Sequence, residues 1–92
     1  MLRPETHKSI AEQAEYLAGV ASGEGEYGLA NSLWAFEAKH RRLIEESYAA
    51  LATDLRAGKS VRLDEPLLHA LRKRQLIDRS EFEQHRAAIQ GP

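Results

Sequence analysis

From Asn31 to Ala57 the chain contains neither Gly nor Pro. That unbroken run constrains the fold more than any other feature. Its apolar residues Leu33, Phe36, Leu43, Ile44, Tyr48, Leu51 and Leu55 recur with the spacing of one helical face. At 1.5 Å per residue the run predicts a rod roughly 40 Å long. Glu37 and His40 fall inside the same face. Two ionisable groups on a stripe destined for burial need partners.

Around this rod the sequence predicts three shorter helices. The first runs from Pro4 or Thr6 to Ala21, with Pro4 and Glu5 suited to a helix start. Ile10, Ala14, Leu17 and Ala21 share its apolar face, with Val20 at the edge. Gly23, Gly25 and Gly28 predict a flexible turn over residues 22–28. Gly58 supplies the stop for the long helix. Asp64 can cap a third helix, with Leu63 stapling onto Leu68. Asp78 and Glu81 form a capping-box pattern for a fourth, with Ile77 and Phe82 as the staple and Phe82 and Ile89 as anchors. Residues 59–63 are the one stretch that could be extended. No heptad array is evident. The expected fold is all-α: a long antiparallel helical hairpin over 4–57, then a short C-terminal hairpin over 64–90. Together they make a small helical bundle in a single domain, 1–92.

Composition limits the function classes. Ninety-two residues suffice for one domain and leave much apolar surface for a partner to cover. Lys plus Arg number 13 and Asp plus Glu 14, a net charge of -1, which argues against a general electrostatic grip on nucleic acid. The absence of Cys removes disulfides and thiolate metal sites. Met1 to Glu5 lacks the apolar core of a signal peptide, and no apolar run approaches a membrane span, so the expected location is the cytoplasm.

Candidate chemistry centres on Glu37 and His40. Glu-x-x-His on one helical face lets a carboxylate and an imidazole converge on one ion. If the first two helices fold back near Gly25, His7 comes within about a turn of His40. His7, Glu37 and His40 then have the composition of a two-His, one-carboxylate site for Fe, Mn or Zn. The alternative is a structural pair, Glu37 with His40 or with Arg41 one turn on. No serine sits in a nucleophile motif, so an enzyme is not the expected reading. Arg72, Lys73 and Arg74 form the one basic cluster placed like a nucleic-acid contact, beside a tight turn. The acidic outward residues Glu81 and Glu83 of the next helix oppose phosphates.

Several local resemblances accompany these readings. Phe36-Glu37-Ala38-Lys39-His40 resembles the metal-binding helices of ferritin-like proteins, which implies a bound transition metal. Ser60 to Glu65 with Arg79 to Phe82 resembles ribbon-helix-helix repressors. Tyr27 to Asn31, leading into the long helix, is similar to the middle of ParD-type antitoxins. Both of these imply DNA binding. Pro66 to Gln90 resembles the short C-terminal hairpins called SHOCT domains, with Gln75 where their turn glycine stands. Leu33 to Glu45 is similar to a helix of flagellar export chaperones. The last two imply helical hairpins that bury apolar stripes against another chain.

The expected function is therefore a non-enzymatic protein–protein interaction module: an adaptor, chaperone or partner-inhibiting protein. It would present Leu33, Trp34, Ile44, Tyr48, Leu51 and Leu55 to another protein or to a second copy in a homodimer. The alternatives are a metal-binding helical protein and a small DNA-binding repressor or antitoxin.

Overall fold

A computed structural model describes residues 2–91. It contains four helices: α1 (Pro4–Gly23), α2 (Tyr27–Arg56), α3 (Glu65–Lys73) and α4 (Arg79–Gln90). The protein is all-α, with no strand among the described residues, and residues 59–64 are irregular. A long helix pair is followed by a shorter one. The chain divides into two compact units, Met1–Ser47 and Tyr48–Pro92, so the division falls within α2.

Helix ends follow from local chemistry. Three of the four helices close with the same reverse turn. After α1, Glu26 N–H donates to the Ala21 carbonyl (2.9 Å) and Gly25 N–H to Ser22 (3.1 Å), with Gly25 at φ +81°. After α2, Lys59 donates to Asp54 (2.9 Å) and Gly58 to Leu55 (3.1 Å), with Gly58 at φ +75°. After α3, Leu76 donates to Leu71 (3.0 Å) and Gln75 to Arg72 (3.0 Å). Each satisfies carbonyls that a helix end otherwise leaves open. Gln75 does so at φ +59°, the only positive value at a non-glycine residue among those described.

The first turn is shorter than the glycines suggest. Ser22 and Gly23 complete α1, and Tyr27 and Gly28 begin α2, four residues ahead of the expected start at Asn31. Only residues 24–26 connect them. One αL residue, Gly25, suffices to reverse the chain, so Gly23 and Gly28 remain helical.

In the N-terminal unit, α1 buries Pro4, His7, Ala11, Ala14, Ala18 and Ala21. That face is rotated from the expected one: Leu17 and Val20 are exposed, and Ile10 is half-buried. The alternating spacing of three and four gives a period of 3.5, which keeps a narrow seam aligned along a partner helix. Alanine lets two backbones approach, and a seam of leucines would hold them apart. On α2 the same spacing holds for Ala30, Leu33, Glu37, His40, Ile44 and Ser47, all buried or half-buried. A heptad seam is thus present, written mostly in small and polar residues, with Leu33 and Ile44 as its large aliphatic members.

The C-terminal unit is built differently. Ala52, Leu67, Leu68, Leu71 and Ile77 are its buried core, with Tyr48, Leu51, Leu55, Leu63, Leu76 and Phe82 packed on it. Each fully buried Leu or Ile is worth about 1.5–3 kcal/mol. Asp64 Oδ1 accepts from Leu67 N–H (2.8 Å) at the start of α3. Asp78 and Glu81 close a reciprocal box at the start of α4 (2.7 and 3.0 Å). Arg56 donates two hydrogen bonds of 2.9 Å to the Glu81 carboxylate. Ile89, expected as an anchor, is exposed.

Candidate functional site

The seam of the N-terminal hairpin brings His7 and His40 together. Their Nδ1 atoms stand 2.9 Å apart in a buried hydrogen bond. One ring must donate and the other accept, so the two imidazoles hold opposite tautomers at Nδ1. The Phe36 ring packs on His40 with centroids 4.5 Å apart. Burial, then the charge of His7 and of Lys39, lowers the His40 pKa below its ordinary value. Near neutral pH His40 is therefore uncharged, and a proton on both facing nitrogens would set N–H against N–H.

Glu37 does not join this pair. Its Oε1 lies 3.4 Å from Arg41 Nε, one turn along α2. Arg41 also donates to Glu15 Oε2 on α1 (2.9 Å). The arginine thus holds a carboxylate from each helix. Among the described residues no group of three or more His, Asp or Glu side chains is arranged to hold a metal ion.

The six expected partner-contact residues are spread over both units. Leu33 and Ile44 are half-buried on the α2 seam, and Trp34 is exposed beside it. Tyr48, Leu51 and Leu55 pack against the C-terminal core. In the basic cluster, Arg72 and Lys73 are exposed. The Arg74 guanidinium lies over the Tyr48 ring (4.0 Å to its centroid) and donates to the Ala70 carbonyl (3.2 Å).

The sequence reading missed one surface. In both helices of the hairpin, the residue just before alternate seam positions is apolar, except for Arg3 ahead of Pro4. Ile10 and Leu17 precede Ala11 and Ala18, and Leu29, Phe36 and Leu43 precede Ala30, Glu37 and Ile44. In an antiparallel pair these positions line one flank. Residues that follow the alternate seam positions line the other, where the Glu15–Arg41 pair lies. Leu17 and Leu29 are each 51% exposed, Phe36 45% and neighbouring Val20 42%. The signal was available as a second apolar register one residue ahead of the alanines. Hydrophobicity alone masks it by ranking the large residues as core.

The chain matches no protein-family model, no curated protein and no solved structure. No helix is long and apolar enough to cross a membrane among the described residues.

Proposed function

We propose that this protein is a non-enzymatic helical protein–protein interaction module, working through the apolar flank of its N-terminal hairpin. One observation carries the reading: α1 buries alanines along its seam, while Leu17, Val20, Leu29 and Phe36 of the hairpin stand exposed. A hairpin that existed only to fold would bury its largest side chains, because burial scales with apolar area. Contiguous exposed apolar surface on a small protein marks an association site. Helix-against-helix docking suits a flank of two parallel rows. Adaptor, chaperone and partner-inhibiting roles all use such a surface.

The test compares wild type with a Leu17→Glu/Phe36→Glu double variant for binding of a hydrophobic dye and for chemical cross-linking in solution. Both side chains are already exposed, so helix content measured by circular dichroism should persist. Loss of dye uptake, of cross-linked species or of both supports the reading. Unchanged behaviour in the double variant removes it.

A metal-binding reading has one observation in its favour. Two imidazole nitrogens 2.9 Å apart approach the roughly 3.3 Å expected of two nitrogen ligands with bonds near 2.0 Å on a tetrahedral zinc ion. Calorimetric titration with zinc, using His7→Ala and His40→Ala as controls, tests it. Equal binding by all three proteins rules it out.

A further inference from the structure

We infer that the occupant of the hairpin's apolar flank is a second copy of this chain, the two hairpins closing into a four-helix bundle. This rests on the interaction reading above and names the partner.

The first argument concerns what the hairpin lacks. Its seam on α1 consists of one proline, one histidine and four alanines. Each alanine contributes little more than a methyl group, about 0.8 kcal/mol. Ordering the backbone costs about 1–2 kcal/mol per residue. Isolated units of this size usually require disulfides, metals or oligomerisation. The chain has no cysteine. Cover for the flank therefore adds stability that the alanine seam supplies only thinly. The one partner always present wherever the chain is made is the chain itself.

The second argument is the pattern. Buried or half-buried residues at the two seam positions, with apolar residues at the position preceding one of them, describe a three-in-seven face. That is the face of a helix directed at the centre of a bundle, wider than the two-in-seven stripe of a two-helix contact. Both α1 and α2 carry it on the same flank, so two hairpins related by a two-fold axis present matching surfaces.

Area and charge agree. Ile10, Leu17, Val20, Leu29, Phe36 and Leu43 expose on the order of 400 Å² of apolar surface per hairpin, the scale of an interaction patch. Two copies with their rims would bury roughly 1,000 Å², the lower bound for a specific interface. The rim on α1 carries Thr6 and Gln13, which are uncharged, and the rim on α2 carries Ser32 with Lys39 and Glu46, whose charges cancel. No ring of like charge opposes self-association. The opposite flank holds the Glu15–Arg41 ion pair beside the exposed Trp34.

Sedimentation equilibrium on the full chain, with Leu17→Glu/Phe36→Glu alongside and with dye binding on both, decides the matter. A wild-type dimer that the double variant weakens by about 100-fold or more supports the proposal. A wild-type monomer that binds dye through the flank overturns the second copy and leaves the interaction reading standing. A wild-type monomer that binds no dye overturns both.

The absence of cysteine allows a second measurement that does not depend on the double variant folding. Single spin labels are placed at Gln13→Cys, on the flank rim, and at Ala38→Cys, on the far side of α2. The dimer proposed here gives a shorter intermolecular distance at position 13 than at position 38. The reverse order would place the interface elsewhere and overturn the proposal.

Discussion

The two units of this protein solve the same packing problem in opposite ways. The C-terminal unit puts Leu67, Leu68, Leu71 and Ile77 inside, caps α3 and α4 with aspartates, and ties α4 to the end of α2 through Arg56 and Glu81. The N-terminal hairpin puts the α1 alanines and a histidine pair inside and leaves Leu17, Val20, Leu29 and Phe36 outside. One unit holds its own stabilising surface. The other exports it. The difference teaches that the size of a side chain, not only its polarity, shows whether a helical face is finished. A seam of alanine brings helices close but removes little apolar area from water, so the remainder must be buried by something else.

Core truncation should separate the two units most strongly. Leu71→Ala removes a fully buried side chain and should cost about 2–5 kcal/mol of C-terminal stability. Leu17→Ala, on the hairpin's exposed flank, should change the stability of a dissociated chain by less than about 0.5 kcal/mol. Denaturant titration at low protein concentration measures both. Equal losses would break the contrast.

Overpacking should reverse the order. Ala18 is completely buried on the α1 seam, and Ala18→Leu should destabilise the hairpin by about 1–3 kcal/mol, because the helices cannot approach around the added carbons. Trp34, the only tryptophan, lies in the hairpin and reports the change by fluorescence. Tolerance of leucine at this position would mean that close approach is not what the alanines provide.

A smaller gain is expected at the α3–α4 turn. Gln75 holds φ +59°, which glycine adopts without strain, so Gln75→Gly should stabilise the C-terminal unit by about 1 kcal/mol. Thermal unfolding checks the sign.

Acid should distinguish the units by pH window. The His40 pKa is lowered below 6.5, so the unfolded chain binds protons first. Its contribution is complete above pH 6.5 and is lost as pH falls through that value towards the folded pKa. The groups around it are His7, Phe36 and Lys39, with Glu37 held by Arg41 and Arg41 bonded to Glu15. Glu81 is held at about 2, first by the Arg56 hydrogen bonds and then by Asp78 N–H, against an ordinary 4.5. Its contribution is present above pH 4.5 and fades as pH falls towards 2. Trp34 fluorescence should therefore respond to acid at a higher pH than the amide signals of α4 in NMR spectra. His40→Gln should remove the hairpin's response and Arg56→Ala should narrow that of the C-terminal unit.

Much of the architecture was legible in the residues. Asp64, Asp78 and Glu81 announce the starts of α3 and α4 because a carboxylate three residues from a free N–H has a defined partner. Leu51 and Leu55 announce a cover from the C-terminal third, because the sequence predicts a second helix longer than the first. The proximity of His7 to His40 follows from folding the chain near Gly25, although the expected register set His7 beside Leu43. The rotation of α1 was not legible. Ile10, Leu17 and Val20 read as core because hydrophobicity alone ranks them above Ala11 and Ala18. Deciding between the two faces requires knowing the interhelical distance, which a single helix's pattern does not carry. Glu37 read as a ligand because its spacing to His40 is right, but Arg41 competes for it at an equally favourable spacing.

The most direct measurement is amide hydrogen exchange followed as a function of protein concentration. If the hairpin is completed by a second copy, protection of α1 should rise as the chain passes from dilute to concentrated solution. Protection of α3, which the C-terminal core supports within one chain, should stay constant. Protection of α1 that is the same at every concentration would contradict the account.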